Sequence, residues 1–154
     1  MILNLMFVMR KYIFTPVLDL FNNEVVSYSI STSPYLEQIR EMLNGLFAKL
    51  PADATPIFHS DQGWQYQHAE YQRLLAEHNI IQSMSRKGNC MDNGAMENFF
   101  GRLKVEMFYG EKFESVNAFI DELKKYIHYY NYERISLKLK GISPVQYRTH
   151  SHAI

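Results

Sequence analysis

"FHSDQGWQY", residues 58–66, is the stretch on which the reading of this chain turns. With Thr55-Pro56-Ile57 ahead of it, it opens as a short β-type run, meets Asp61 directly after Ser60, and passes into Gln62-Gly63, where the backbone has to turn. In an open α/β sheet, ligands gather beyond the carboxyl ends of strands, so an acid one residue past such an end stands at a site position. From this stretch alone, a turn-forming or helix-capping aspartate is the simpler account.

Outward from it, strand and helix signals alternate. "KYIFTPVLDLF" (11–21) and "EVVSYSIS" (24–31) are rich in β-branched and aromatic residues, and Asn22-Asn23 between them suits a hairpin turn. After Ser33-Pro34, Leu36, Ile39, Leu43, Leu46, Phe47 and Leu50 recur at helical spacing until Pro51. "TPIFHS" reads as a short strand, "AEYQRLLAEHN" as a helix, "IIQSMS" as another strand and "GNCMDNG" as a loop. Helical periodicity returns over 93–108 and again over about 115–131. The sum is a mixed α/β layer fold with helices packed on a sheet. A chain of 154 residues, 47% hydrophobic, can bury one sizeable core, so one globular domain is the expectation.

Composition removes several classes. The lone cysteine, Cys90, has no internal partner for a disulfide, and the six scattered histidines lack the spacing of a structural zinc site. The apolar opening "MILNLMFVM" has no basic segment before it and no small-residue cleavage site, and it is far short of the roughly 20 residues that span a bilayer. It reads as a strand in need of cover, in a cytoplasmic protein with no membrane partner. Net charge is zero but unevenly placed: residues 83–154 hold 11 Lys and Arg against 8 Asp and Glu. Within 124–148, Lys124, Lys125, Arg134, Lys138, Lys140 and Arg148 face one acid, Glu133. Such an excess can meet phosphates or simply solvate a helix face.

A second acid acquires meaning from helix geometry. In "DNGAMENFFGRLK" (92–104) and the three residues after it, Met96, Phe99, Phe100, Leu103 and Met107 fall on one buried stripe, while Glu97, Gly101 and Lys104 fall on another beside it. A carboxylate, a bare backbone patch and an ammonium thus share one edge of the helix. An acid that offsets the helix dipole, with Asp92 or Asn93 as cap, accounts for Glu97 equally well. Two carboxylates, one from a strand end and one from an adjacent helix, suit a hard divalent cation of the kind phosphodiester chemistry uses.

"HSDQGWQY" (59–66), "SMSRKGNCMDNGAMENFFGRLKVE" (83–106) and "YIHYYNYERISLKLKGISPVQYR" (126–148) together resemble the catalytic core of insertion-sequence transposases of the OrfB type, in the retroviral-integrase superfamily. Thirty-five residues separate Asp61 from Glu97, a spacing typical of the last two acids of that superfamily's Asp-Asp-Glu (DDE) triad. The likeness runs from about Lys11 to Arg148. It implies a ribonuclease-H-like mixed sheet with flanking helices, and Mg²⁺ or Mn²⁺ for DNA cleavage and strand transfer. Asp61 would match the second acid and Glu97 the third, both as catalytic metal ligands. Lys104 would match the residue that contacts transposon-end DNA, joined by Arg86, Lys87, Arg102, Lys138 and Lys140. The loop from Arg86 to Asn93 would border the active site, and 129–148 would be the family's C-terminal signature.

The resemblance also marks a departure. The family's first acid lies on the first strand, about 18 residues before the aspartate matched by Asp19, and that count reaches Met1. The first acid is therefore absent from the chain or just upstream of it, and the first strand is truncated or altered. Asp19, at the end of the second strand, has a structural role. The expectation is a truncated transposase or integrase catalytic domain acting in DNA transposition, with residues 1–112 as its core and 113–154 as the C-terminal helix and basic tail of the same domain. It would bind metal weakly, lack activity alone, and partner DNA (transposon ends and target) and another copy or full-length transposase. The alternatives are an inert or regulatory remnant that binds DNA or transposase, and a ribonuclease-H-like nuclease.

Overall fold

In the computed structural model the described residues are 1–4, 7–9, 12–33, 36–86 and 94–151. Two short strands, β1 (Ile2–Asn4) and β2 (Phe7–Met9), run antiparallel to β3 (Tyr12–Asp19), β1 along residues 17–19 and β2 along 12–14. The other edge of β3 pairs antiparallel with β4 (Val25–Ser31). Beyond β1 the direction changes: β5 (Ile57–Ser60) runs parallel to β1, and β6 (Ile81–Met84) parallel to β5. Both described pieces of the apolar run at the N-terminus are strands, and both pair with β3. Among the described residues there are five α-helices: α1 (Leu36–Phe47), α2 (Ala69–Glu77), α3 (Gly94–Leu103), α4 (Val116–Tyr132) and α5 (Pro144–Ser151).

The chain forms two compact units. The first holds Met1–Leu20 and Val25–Met96; the second holds the hairpin tip Phe21–Glu24 and the residues from Glu97 onward. In the first unit β3 is buried on both faces from Ile13 to Leu18, so it reads as a continuous apolar run instead of an alternating one. Pro16, which has no N–H for the ladder, sits beside the register shift at Val17/Leu18, the kind of irregularity where a strand tolerates proline. The core joins Val17 and Phe58 of the sheet to Ile39, Met42, Leu43 and Leu46 of α1 and Tyr71 and Leu75 of α2. Polar bonds fix the register of α1: Gln38 Nε2 donates to Ile13 O and Thr15 Oγ1, and Ser27 Oγ donates to Met42 O at 2.7 Å. Arg40 forms an ion pair with Glu70 of α2.

Three elements depart from the sequence expectations. α1 stops at Phe47, three residues before Leu50, and Ala48–Leu50 close as a tight turn, consistent with the bias of the residue before Pro51 away from helix. The helix expected over 93–108 is α-helical to Leu103 and then widens into a π-helical turn over Lys104–Phe108, closed by Tyr109 N–H donating to Lys104 O at 2.7 Å. Its apolar stripe is as expected, with Met96, Phe99, Phe100, Leu103 and Met107 all buried.

The tail after α4 contains a helix, α5, that periodicity does not reveal. It opens as a capping box in which Ser143 Oγ accepts from Gln146 N–H and Gln146 Oε1 accepts from Ser143 N–H. Within the second unit α5 is fastened to the hairpin tip: Asn22 Nδ2 donates to Pro144 O, Phe21 packs on Tyr147, and Arg148 pairs with the buried Glu24.

Candidate active site

In the first unit the parallel strands β5 and β6 end at Ser60 and Met84, and side chains carry their pairing further. Ser85 N–H donates to Ser60 O, and the buried ring of His59 bridges Ser83 Oγ (Nδ1, 2.9 Å) and Ser85 Oγ (Nε2, 3.0 Å). Gln62 Nε2 donates to Ser85 O. This bracket went unread in the sequence, although "HS" and "SMS" at the ends of adjacent strands carried its signal: alternate serines on one face of a strand beside a histidine.

Asp61, half-buried, lies one residue beyond β5. Its Oδ1 accepts from Gly63 N–H at 2.8 Å, which forms an Asx turn and starts the 3₁₀ turn Trp64–Gln67. Gly63 is packed under Gln65, whose amide would lie 2.6 Å from any added Cβ. The second carboxylate oxygen of Asp61 takes no hydrogen bond among the described residues. The turn reading and the ligand reading are therefore compatible, each using one oxygen. The Asp61 charge is felt nearby: the Tyr66 phenol is pushed well up, first by its full burial and then by Asp61. Arg86, exposed, lies two residues past β6, at the same edge of the sheet as Asp61. Lys87 and the rest of the loop to Asn93 lie outside the described residues.

In the second unit Glu97 is exposed in the first turn of α3 and makes no ion pair or hydrogen bond among the described residues. Lys104 is half-buried where the π-helical turn begins, and Arg102 is exposed. Arg102 and Arg134 line a small cleft with Tyr130, whose phenol burial raises to about 12 against the opposing pull of both guanidinium groups. The basic excess of 124–148 is half engaged: Lys125 pairs with Glu122, Arg134 with Glu106, and Arg148 with Glu24. Lys124, Lys138 and Lys140 are exposed and form no ion pair among the described residues. Lys138 and Lys140 ride on a tight loop closed between Ser136 and Ile142 and anchored by buried Leu139. A groove of about 680 Å³ beside α4 has a mixed lining, with Glu106, Glu111, Glu114 and Glu122 beside Lys112 and Lys125.

Among the described residues, no three His, Cys, Asp or Glu side chains come together as a metal cage. The donor chemistry of Asp61 and Glu97 nonetheless fits a hard cation: both are carboxylates with an oxygen open to a ligand.

The profile of the integrase core domain matches residues 5–90, and a second profile of the same description matches 97–151. The chain belongs to the integrase core domain family. It is 55% identical over 141 residues to an uncharacterized transposase-like protein of Haemophilus influenzae, covering 92% of this chain and 65% of that protein. It is 52% identical over 143 residues to the putative transposase InsK for insertion sequence element IS150 of Escherichia coli K12, covering 93% of this chain and 50% of that protein. The chain thus spans roughly half to two thirds of the length of these relatives. Among solved structures, the catalytic core domain of BIV integrase superposes with a TM-score of 0.72 at 17% identity, over 99% of this chain and 95% of that one. The ribonuclease-H-like fold expected for this integrase core is the one found. Among the described residues no helix is long and apolar enough to cross a membrane.

Proposed function

We propose that the chain is the catalytic-core portion of an insertion-sequence transposase, acting on the phosphodiester bonds of DNA in a cytoplasmic setting. The observation that carries this reading is Asp61: within an integrase core, it sits just past the end of a parallel strand with its shape fixed by the Asx turn and one oxygen open. Asp61 and Glu97 are the ligands for Mg²⁺ or Mn²⁺. When bound, the metal supplies Lewis-acid stabilisation of phosphoryl oxygens and a lowered pKa for the attacking water or hydroxyl. The chain's own part is to hold Asp61 rigid through Gly63 and the His59–Ser83–Ser85 bracket, so that no reorganisation is needed when the cation arrives. Arg86, Lys87, Arg102, Lys104, Lys138 and Lys140 contact phosphates of transposon-end and target DNA, and a second copy or a longer transposase is the protein partner. Two carboxylates hold a hard cation weakly, since each anionic ligand adds attraction.

The test is thermal unfolding with millimolar Mn²⁺. The expected result is a small rise in Tm, lost in Asp61→Asn and in Glu97→Gln. A rise that survives both substitutions overturns the metal assignment.

A further inference from the structure

Trp64, the only tryptophan in the chain, stands 55% exposed on the turn that follows Asp61. Its exposure is not slackness of the turn. Tyr66 N–H donates to Gly63 O at 3.0 Å, Gln82 Nε2 donates to Tyr66 O at 2.7 Å, and Gln65 and Tyr66 on the following positions are buried anchors. The indole makes no ring contact among the described residues, so a braced turn holds a large flat aromatic surface in solvent beside a carboxylate.

The surroundings decide what that surface suits. The other exposed large apolar residues of the first unit are Met1, Ile57 and Ile81, which lie at the amino ends of β1, β5 and β6. Because these strands are parallel, Trp64 at their carboxyl end is the lone exposed large apolar side chain of that edge among the described residues. A protein-docking patch needs contiguous apolar surface, whereas Asp61, Gln62, Gln67 and Arg86 at this edge are polar or charged. A single aromatic face with a cation on the neighbouring strand end is the arrangement that holds an unpaired nucleobase while its phosphate meets the cation. Gln62, bonded to Ser85 O, ties the segment that carries Trp64 to the residue before Arg86.

We infer that Trp64 is a stacking platform for an unpaired base of a DNA strand, with Arg86 against the adjoining phosphate. The inference rests on the reading of the chain as a DNA-acting core and adds that the strand end beside Asp61 is engaged by an unstacked nucleotide rather than by intact duplex. The base pays its unstacking cost most easily where the strand is already frayed or single.

The lone indole makes the test direct. Titration with a thymidine oligomer of roughly 12 nucleotides is expected to quench the native tryptophan emission. An abasic oligomer of the same length, with the same phosphates and no bases, is expected to quench little. With a fluorescently labelled thymidine oligomer read by anisotropy, Trp64→Ala is expected to bind between about 5-fold and about 150-fold more weakly, and Trp64→Phe to retain most of the affinity. Because the indole is exposed, both variants are expected to unfold at the parent temperature. Equal quenching and affinity for the abasic and thymidine oligomers, or unchanged affinity in Trp64→Ala, overturns the stacking role. Asp61→Asn separates this inference from the metal assignment: its amide oxygen still accepts from Gly63 N–H, so the quench is expected to persist while the Mn²⁺ response is lost. Loss of both together would show that the emission reports the metal site and would overturn stacking.

Discussion

Replacing Gly45 by alanine is expected to change sign with the residue facing it. Gly45 lies on α1 where that helix meets β4, and an added Cβ would fall 2.5 Å from Ser27 Oγ but 3.6 Å from Ser27 Cβ. The first distance is a collision and the second an ordinary contact. In the native background the serine must rotate, and its hydroxyl, buried and donating to Met42 O at 2.7 Å, loses that bond. A buried hydroxyl left without a partner costs about 2 kcal/mol, against about 1 kcal/mol gained when alanine replaces glycine inside a helix. Gly45→Ala should therefore destabilise the protein by about 1 kcal/mol. In a Ser27→Ala background nothing collides, only the helix term is left, and the same change should stabilise by about 1 kcal/mol. The coupling between the two positions is then about 2 kcal/mol. Urea unfolding of the four proteins of the cycle measures it. A Gly45→Ala effect of the same sign and size in both backgrounds would refute the claim that Ser27 dictates a glycine at this contact.

Two further outcomes follow from the second unit. Arg134, with Tyr126 OH, holds the Glu106 carboxyl below the usual carboxylate range; a depressed folded pKa means the stabilisation is complete above the unfolded value and disappears as pH falls through the folded one. Melting temperature should thus fall more steeply on acidification in the parent than in Glu106→Gln, and parallel curves would remove Glu106 from the acid limb. If Lys138 and Lys140 each neutralise a phosphate, changing both to alanine should reduce the salt dependence of duplex binding by about 1.8 in the log–log slope; an unchanged slope would remove them from the interface.

What the sequence revealed and what it hid follow from the range of the interactions concerned. The hairpin strands, the helices over 69–77 and 116–132, and the buried stripe from Met96 to Met107 were legible because each is written in local periodicity. Asp61 was legible as a site candidate because an acid, a glycine and a strand end are adjacent in the chain. α5 was missed because its short span is mostly polar, although Ser143-Pro144-Val145-Gln146 held a capping signal. The π-helical turn after Leu103 has no local mark, since Leu103 and Met107 keep an α-helical spacing. The basic excess of 124–148 looked larger than it is because Glu24 and Glu106, which engage Arg148 and Arg134, lie far away in sequence.

The clasp between Glu24 and Arg148 also orders events during synthesis. The guanidinium that accompanies the Glu24 carboxylate is made 124 residues after it. Until then the carboxylate, nearly sealed in the finished protein, must stay in water, because burying it alone costs far more than the tip gains by packing. α5 cannot wait as a preformed helix, being eight residues long and too short to hold its shape unaided. α5 therefore shuts a hairpin tip that is translated well before it. A nascent chain that stalls before Arg148 would present an unclosed hairpin tip to proteases, so that the tip is protected only in chains carried through to that residue.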